Sequence, residues 1–158
     1  MASPQASDKL ATRAIRTMWD HDPDTTAATI TTPDAGTTLR MVDMRDFGAF
    51  GAGAMCTVVA GGAITKIEIV ASDDSAGATN LTVIKDSGTI SANAQGDWAW
   101  LECTAEEIRQ ESEEGGYALR YVGLRITVSN SGSEAAVYYE QTNPKRAYDG
   151  MTAATTGA

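Results

Sequence analysis

One histidine, two cysteines, four prolines and two phenylalanines stand among 158 residues, and these scarcities close off whole classes of function. His21 is the only imidazole, and no serine or cysteine sits in a recognisable nucleophile setting, so a catalytic triad or dyad has nothing to assemble from. Cys56 and Cys103 belong to no paired metal or redox spacing, and are expected as free, buried thiols of a protein made in a reducing compartment. No apolar run approaches the roughly 20 residues that a membrane-spanning helix needs, and the first residues lack the apolar stretch of a secretory signal. Synthesis in the cytosol, solubility and no membrane partner are the expectation. Positive charge is also in deficit: 12 Lys and Arg against 21 Asp and Glu leave a net charge of −9, whose field repels a phosphate backbone and argues against a direct nucleic-acid partner.

What is present favours β structure. Hydrophobic residues make up 42% of the chain, with 15 glycines and many Thr, Ala and Ser, a composition suited to short strands and frequent turns. The length allows one domain that buries roughly two-thirds of its unfolded surface without a metal or disulfide staple. Strands are expected at 37–42, 55–60, 63–72, 80–85, 97–104, 121–130 and 135–142. The stretch at 63–72 sets Ile67, Ile69 and Ala71 against Lys66, Glu68 and Val70, the period of two that one buried face requires. The stretch at 121–130 alternates most clearly, with Val122, Leu124, Ile126 and Val128 on one side, and is expected to be central. A turn at 130–134 then predicts 135–142 as its hairpin partner. Gly48, Gly51 and Gly53 predict a loop or bulge. One helix is marked, over about 105–114: Thr104 with Glu107 three residues on forms a capping box, and Gly115 or Gly116 supplies a left-handed stop. The fold class is therefore all-β, an antiparallel sandwich or jelly roll of about seven or eight strands with one short helix.

Residues 1–36 read differently and are expected as an extended N-terminal arm preceding the sandwich of 37–148 and a flexible tail at 149–158. Leu10, Ala14, Ile15, Met18 and Trp19 allow one amphipathic helical segment, after which Pro23 and Pro33 favour extended chain. The arm's apolar residues Leu10, Ile15, Met18 and Trp19 need a surface. They can fold back on their own sandwich or latch onto a neighbouring subunit, with Lys9, Arg13 and Arg16 reaching its acidic groups.

Candidate sites are few. Asp20, Asp22 and Asp24 have the spacing that opens a calcium loop, but Pro23 interrupts them, Thr25 replaces the turn glycine and Thr31 stands where the bidentate Glu belongs. The glycines at 48–53 lead into a β-rich segment instead of a helix, which excludes a nucleotide-binding loop. Asp73–Asp74 and the acids from Glu106 to Glu114 read as a turn and an exposed helix face, and Asn80 heads a glycosylation pattern that no signal sequence serves. No catalytic residue, cofactor or metal site is expected. Trp98 and Trp100, two apart on a strand, share one face and form either core or an aromatic platform for sugar, peptide or another subunit. Tyr138 and Tyr139 point opposite ways, which leaves one of them available to an interface.

The arm, a sandwich of this size containing MVDMRDFGAF, EIVAS, WLECTAEEI and RYVGLRITVSN, and a short tail together resemble the small capsid auxiliary proteins of tailed bacteriophages, the decoration or cement proteins, over about residues 37–148. The resemblance implies a virion protein on the capsid exterior, made in the host cytoplasm and bound where major capsid protein subunits meet. It further implies a homo-oligomer, dimer or trimer, that reinforces the shell without an active site. Partner contacts would then fall on Leu10, Arg13, Ile15, Arg16, Met18, Trp19, Trp98, Trp100 and Tyr138. The competing expectation is a tail-associated carbohydrate- or receptor-binding module with Trp98 and Trp100 as its platform.

Overall fold

The structure, a computed structural model, describes residues 15–21, 25–31, 41–59 and 61–144. Among the described residues, nine strand segments and one helix follow in the order β1 (Ile15–His21), β2 (Thr29–Thr31), β3 (Val42–Asp43), β4 (Phe47–Val58), β5 (Ile64–Ser72), β6 (Thr82–Asp86), β7 (Trp98–Thr104), α1 (Ala105–Gly115), β8 (Tyr121–Val128) and β9 (Glu134–Pro144). They form two antiparallel sheets packed face to face: a four-stranded sheet in the order β1-β9-β4-β7, and a five-stranded sheet in the order β2-β8-β5-β6 with β3 also pairing β8. The chain is an all-β sandwich, as its alternation predicts.

The core lies between the sheets and is filled by the inward positions of each long strand. Ile67, Ile69 and Ala71 of β5 meet Val122, Leu124, Ile126 and Val128 of β8, and across from them lie Phe50, Ala52, Ala54 and Cys56 of β4 with Val137 and Tyr139 of β9. Phe50 and Tyr139 stack at 5.7 Å between ring centroids. Both cysteines are free and buried, and burial pushes the Cys103 thiol up to about 12. The helix begins and ends as its caps dictate: Thr104 Oγ1 accepts from the Glu107 backbone N–H, Glu107 reaches back to the Thr104 N–H, and Gly116 closes it at φ 70°. Ile108 anchors α1 beside Met44 and Leu119, and an ion pair between Lys85 and Glu107 ties it to β6.

Three expectations are overturned. Gly48, Gly51 and Gly53 lie inside the 12-residue β4, not in a loop. Gly51 and Gly53 occupy outward positions while Phe50, Ala52 and Ala54 hold the inward ones, so alternation continues through a segment whose outward side chains are missing. Next, β9 is no hairpin partner of β8. The turn between them carries the chain from one sheet to the other, with Ser133 buried and its hydroxyl donating to the Val59 carbonyl at 2.7 Å, so that Val128 and Ala135 both enter the core. The β4–β5 connection crosses at the same corner, where Ala63 N–H donates to Ser129 Oγ at 2.8 Å.

The third correction concerns the leading segment. Over Ile15–His21 the expected helical piece is a strand pairing with β9 from Ile15↔Gln141 to His21↔Ala135. The sequence there is as consistent with a period of two as with a helical period, and β9 presents an unpaired edge whose N–H and C=O groups need partners. Thr29–Thr31 then pair with β8 in the opposite sheet. Ile30 and Met41 settle over Gly77 and Gly123 on the outer side of that sheet, where a Cβ on Gly77 would meet Met41 Sδ at 2.8 Å. The segment thus contributes one strand to each sheet. Leu10, Arg13 and the tail at 149–158 lie outside the described residues.

On the outer face of the five-stranded sheet Glu68 is buried, 4% exposed, and accepts from Arg125 at 2.7 Å and Lys66 at 2.8 Å. Burial alone raises the pKa of this carboxyl, yet the two cationic donors outweigh it and hold the group below its ordinary value. Lys66 also pairs with Asp86 at 2.6 Å, which makes the cluster a clamp between β5, β6 and β8.

Candidate functional site: an aromatic face on the four-stranded sheet

Strand register assembles the site. Across β7, β4 and β9 the outward positions form rows: Trp98, Met55 and Ala136; then Trp100, Gly53 and Tyr138; then Glu102, Gly51 and Glu140. On the far side of β9 the backbone register places Asp20, Met18 and Arg16 of β1 opposite Ala136, Tyr138 and Glu140. In each of the lower two rows the middle position is a glycine, which leaves a trough between larger neighbours, and a cavity of about 570 Å³ lined by Gly53, Met55, Trp98, Trp100 and Tyr138 opens on this face.

The trough positions one indole. A Cβ on Gly51 would press on Trp100, meeting Cε2 at 3.2 Å and Cζ2 closer still, and a Cβ on Gly53 would meet Trp100 Cε3 at 2.8 Å. Trp100 therefore lies flat over bare backbone of β4, with its other surface turned away from the sheet. Covering strand glycines with an aromatic ring from the adjacent strand restores the burial that the glycines themselves cannot supply. Trp100 Nε1 donates to Glu102 Oε1 at 2.9 Å, and the Tyr138 ring stands 5.6 Å away at 31° to the indole. Tyr138 OH in turn donates to Glu140 Oε2 at 3.2 Å. Two rings are thus oriented by packing on one side and by a carboxylate on the other.

Trp98 extends this platform and is 68% exposed, with Met55, 40% exposed, beside it. Of the alternatives open from sequence, core or platform, Trp98 falls on the platform side. The opposite side of β7 packs inward as alternation requires, with Cys103 buried and Ala99 and Leu101 against the core. Tyr138 faces out and Tyr139 faces in, as two consecutive strand residues must.

Beyond the carboxylate row the face turns polar. A second cavity of about 450 Å³ adjoins at Glu102 and Glu140 and includes Lys85, Glu107, Thr142 and Asn143. Lys85 and Glu107 pair there, and each pKa moves in the direction that keeps the charge: hydrogen bonding to Glu107 raises that of the lysine, and hydrogen bonding from Lys85 lowers that of the glutamate. Among the described residues, no group of three or more His, Cys, Asp or Glu is placed to hold a metal ion.

Of the predicted interface residues, Trp98, Trp100 and Tyr138 come together on this one face. Ile15, Arg16, Met18 and Trp19 lie in β1 as part of the same sheet. Sequence reasoning passed over Gly51, Gly53, Glu102 and Glu140. The signal that could have found them is the match between a Gly-x-Gly and a Trp-x-Trp, both at strand spacing, which makes one the seat of the other. No protein-family model matches this chain, and comparison with curated proteins finds no match, so the site is read from its own geometry.

Proposed function

We propose that the chain is a non-catalytic structural protein of a virion, bound as a homo-oligomer to the outer capsid surface where major capsid protein subunits meet, and that it stabilises the shell. The reading rests on the resemblance of its strand segments to those of phage capsid auxiliary proteins. The observation that carries it is the strap: the leading segment contributes β1 to one sheet and β2 to the other, tying the two layers with hydrogen-bonded strands. A sandwich tied in this way resists shear between its sheets, which suits a part that carries load between neighbouring subunits. Attachment by many modest contacts at high local concentration then reinforces the shell without deep binding pockets.

The test is to add the purified full chain to empty shells of the corresponding major capsid protein and follow co-sedimentation and thermal rupture. Saturable binding at subunit junctions, with rupture shifted to higher temperature, is the expected result. Shells that neither bind the chain nor gain heat resistance would remove this reading.

A further inference from the structure

We propose that the outer face formed by β9, β4 and β7 is a binding site for a neutral saccharide chain, stacked on Trp98 and Trp100 and hydrogen-bonded at Glu102. This goes beyond attachment to a shell. Three features of the face select that chemistry. First, Trp100 rests one surface on the backbone of Gly51 and Gly53 and turns the other outward, while Trp98 is 68% exposed two positions away on the same strand. Flat, pre-oriented rings suit the C–H faces of pyranose units, and rigid anchors lose little entropy when a ligand docks. Second, the apolar floor ends at two carboxylates that flank Gly51 from either side. A carboxylate is acceptor-only, with about four lone-pair sites, so Glu102 can hold the Trp100 N–H and still accept from hydroxyls, which a saccharide supplies along its whole edge. Third, the adjoining cavity continues with Thr142, Asn143 and the paired Lys85 and Glu107, a run of donors and acceptors suited to further sugar units.

The same features disfavour other occupants. Phosphate, sulfate or sialic acid groups would meet the Glu102 carboxylate on a chain of net charge −9. A peptide strand gains its affinity from main-chain pairing at a sheet edge, and this site is the face of a sheet, centred on β4 with paired strands on both sides. A protein subunit docking by apolar burial would run onto charge where the apolar floor ends.

The experiment titrates the full chain with a panel of neutral oligosaccharides, covering gluco-, manno-, galacto- and N-acetylglucosamine series, alongside sulfated and sialylated ones. Binding is read by tryptophan fluorescence and calorimetry, with shell binding measured in parallel. At least one neutral series should bind with a Kd in the range of about 10 μM to 1 mM, typical of shallow sites. Trp98→Ala should weaken it about tenfold or more, with the melting temperature unchanged. Gly51→Ala should weaken it as well, by lifting Trp100. The sulfated and sialylated sugars should not bind, and the neutral oligosaccharide should be recovered uncleaved. Absence of binding by every neutral series up to about 10 mM, or binding that survives Trp98→Ala, overturns the inference. Loss of shell binding in Trp98→Ala with no sugar bound would also overturn it, and would mark the face as a protein interface. Failure of the wild-type chain to bind shells while sugar binding persists would instead fall on the proposed function alone.

Discussion

Substituting Gly51 by alanine tests the seat of Trp100, and the structure sets both sign and size. The three nearest atoms to the added Cβ all belong to the Trp100 indole, at 3.2 Å or less. Overpacking of this kind costs about 1–3 kcal/mol where the neighbour cannot yield. Here the indole can lift outward, which exchanges the clash for loss of ring packing and of the Nε1 bond to Glu102, worth about 1 kcal/mol. Alanine returns about 0.5 kcal/mol by restricting the unfolded chain. The balance is a destabilisation of about 1–2 kcal/mol, or roughly 3–6 °C for a domain of this size. In a Trp100→Ala background the three nearest atoms are gone, so Gly51→Ala should be neutral or stabilising by about 0.5 kcal/mol. Gly53 provides the contrast. The atom nearest its added Cβ is the Ala99 carbonyl oxygen, which is backbone, so Gly53→Ala should keep its cost in both backgrounds. Urea denaturation of the double-mutant cycles, with midpoints compared at constant m, measures this directly. Equal costs for Gly51→Ala with and without Trp100 would refute the idea that the glycine exists to seat the ring.

Three further predictions follow from the electrostatics and burial. Asp74 is held down to about 2, first by the hydrogen bond from the Thr79 hydroxyl and further by backbone N–H groups including those of Thr79 and Ala76, so its folded pKa lies below the ordinary 3.8. A depressed carboxyl contributes stability that is present above about pH 4 and lost as pH falls towards 2, so Asp74→Asn should flatten the loss of stability across that window in acid titrations followed by circular dichroism. Cys103 is buried with its thiol pushed up to about 12, so it should resist a thiol reagent at pH 8 in the native state and react at once in denaturant. Arg125→Met leaves the buried Glu68 with Lys66 as its remaining cationic partner, at a cost of about 1–3 kcal/mol after allowing for the partial exposure of the pair. Adding Glu68→Gln should recover much of that loss, as urea midpoints would report.

How much was legible in the sequence depends on whether a feature has a local cause. Strands β5, β7 and β8 were legible because a buried face forces a period of two, and α1 because Thr104 and Glu107 satisfy each other's backbone within one turn. The glycines of β4 were misread because their cause is remote: only the strand paired 50 residues away carries the ring that needs the space, as in Gly51↔Glu102 and Gly53↔Trp100. The turn expected at 130–134 announces a reversal of direction but not the sheet the chain reverses into, so β9 was assigned to β8 instead of β4. Ile15, Met18 and Trp19 are compatible with either a helix or a strand, and the open edge of β9 decided between them. For the site, Trp98, Trp100 and Tyr138 were found as residues, but their convergence over Gly51 and Gly53 is a product of register.

Iodide quenching of a full-length variant that keeps Trp98 as its sole tryptophan, with Trp19 and Trp100 replaced by phenylalanine, asks most directly whether the aromatic face stands open. An indole that is 68% exposed should be quenched nearly as strongly as a free tryptophan side chain in water. A shielded, blue-shifted Trp98 that iodide cannot reach would contradict the account, because a face already occupied has nothing left to offer a ligand.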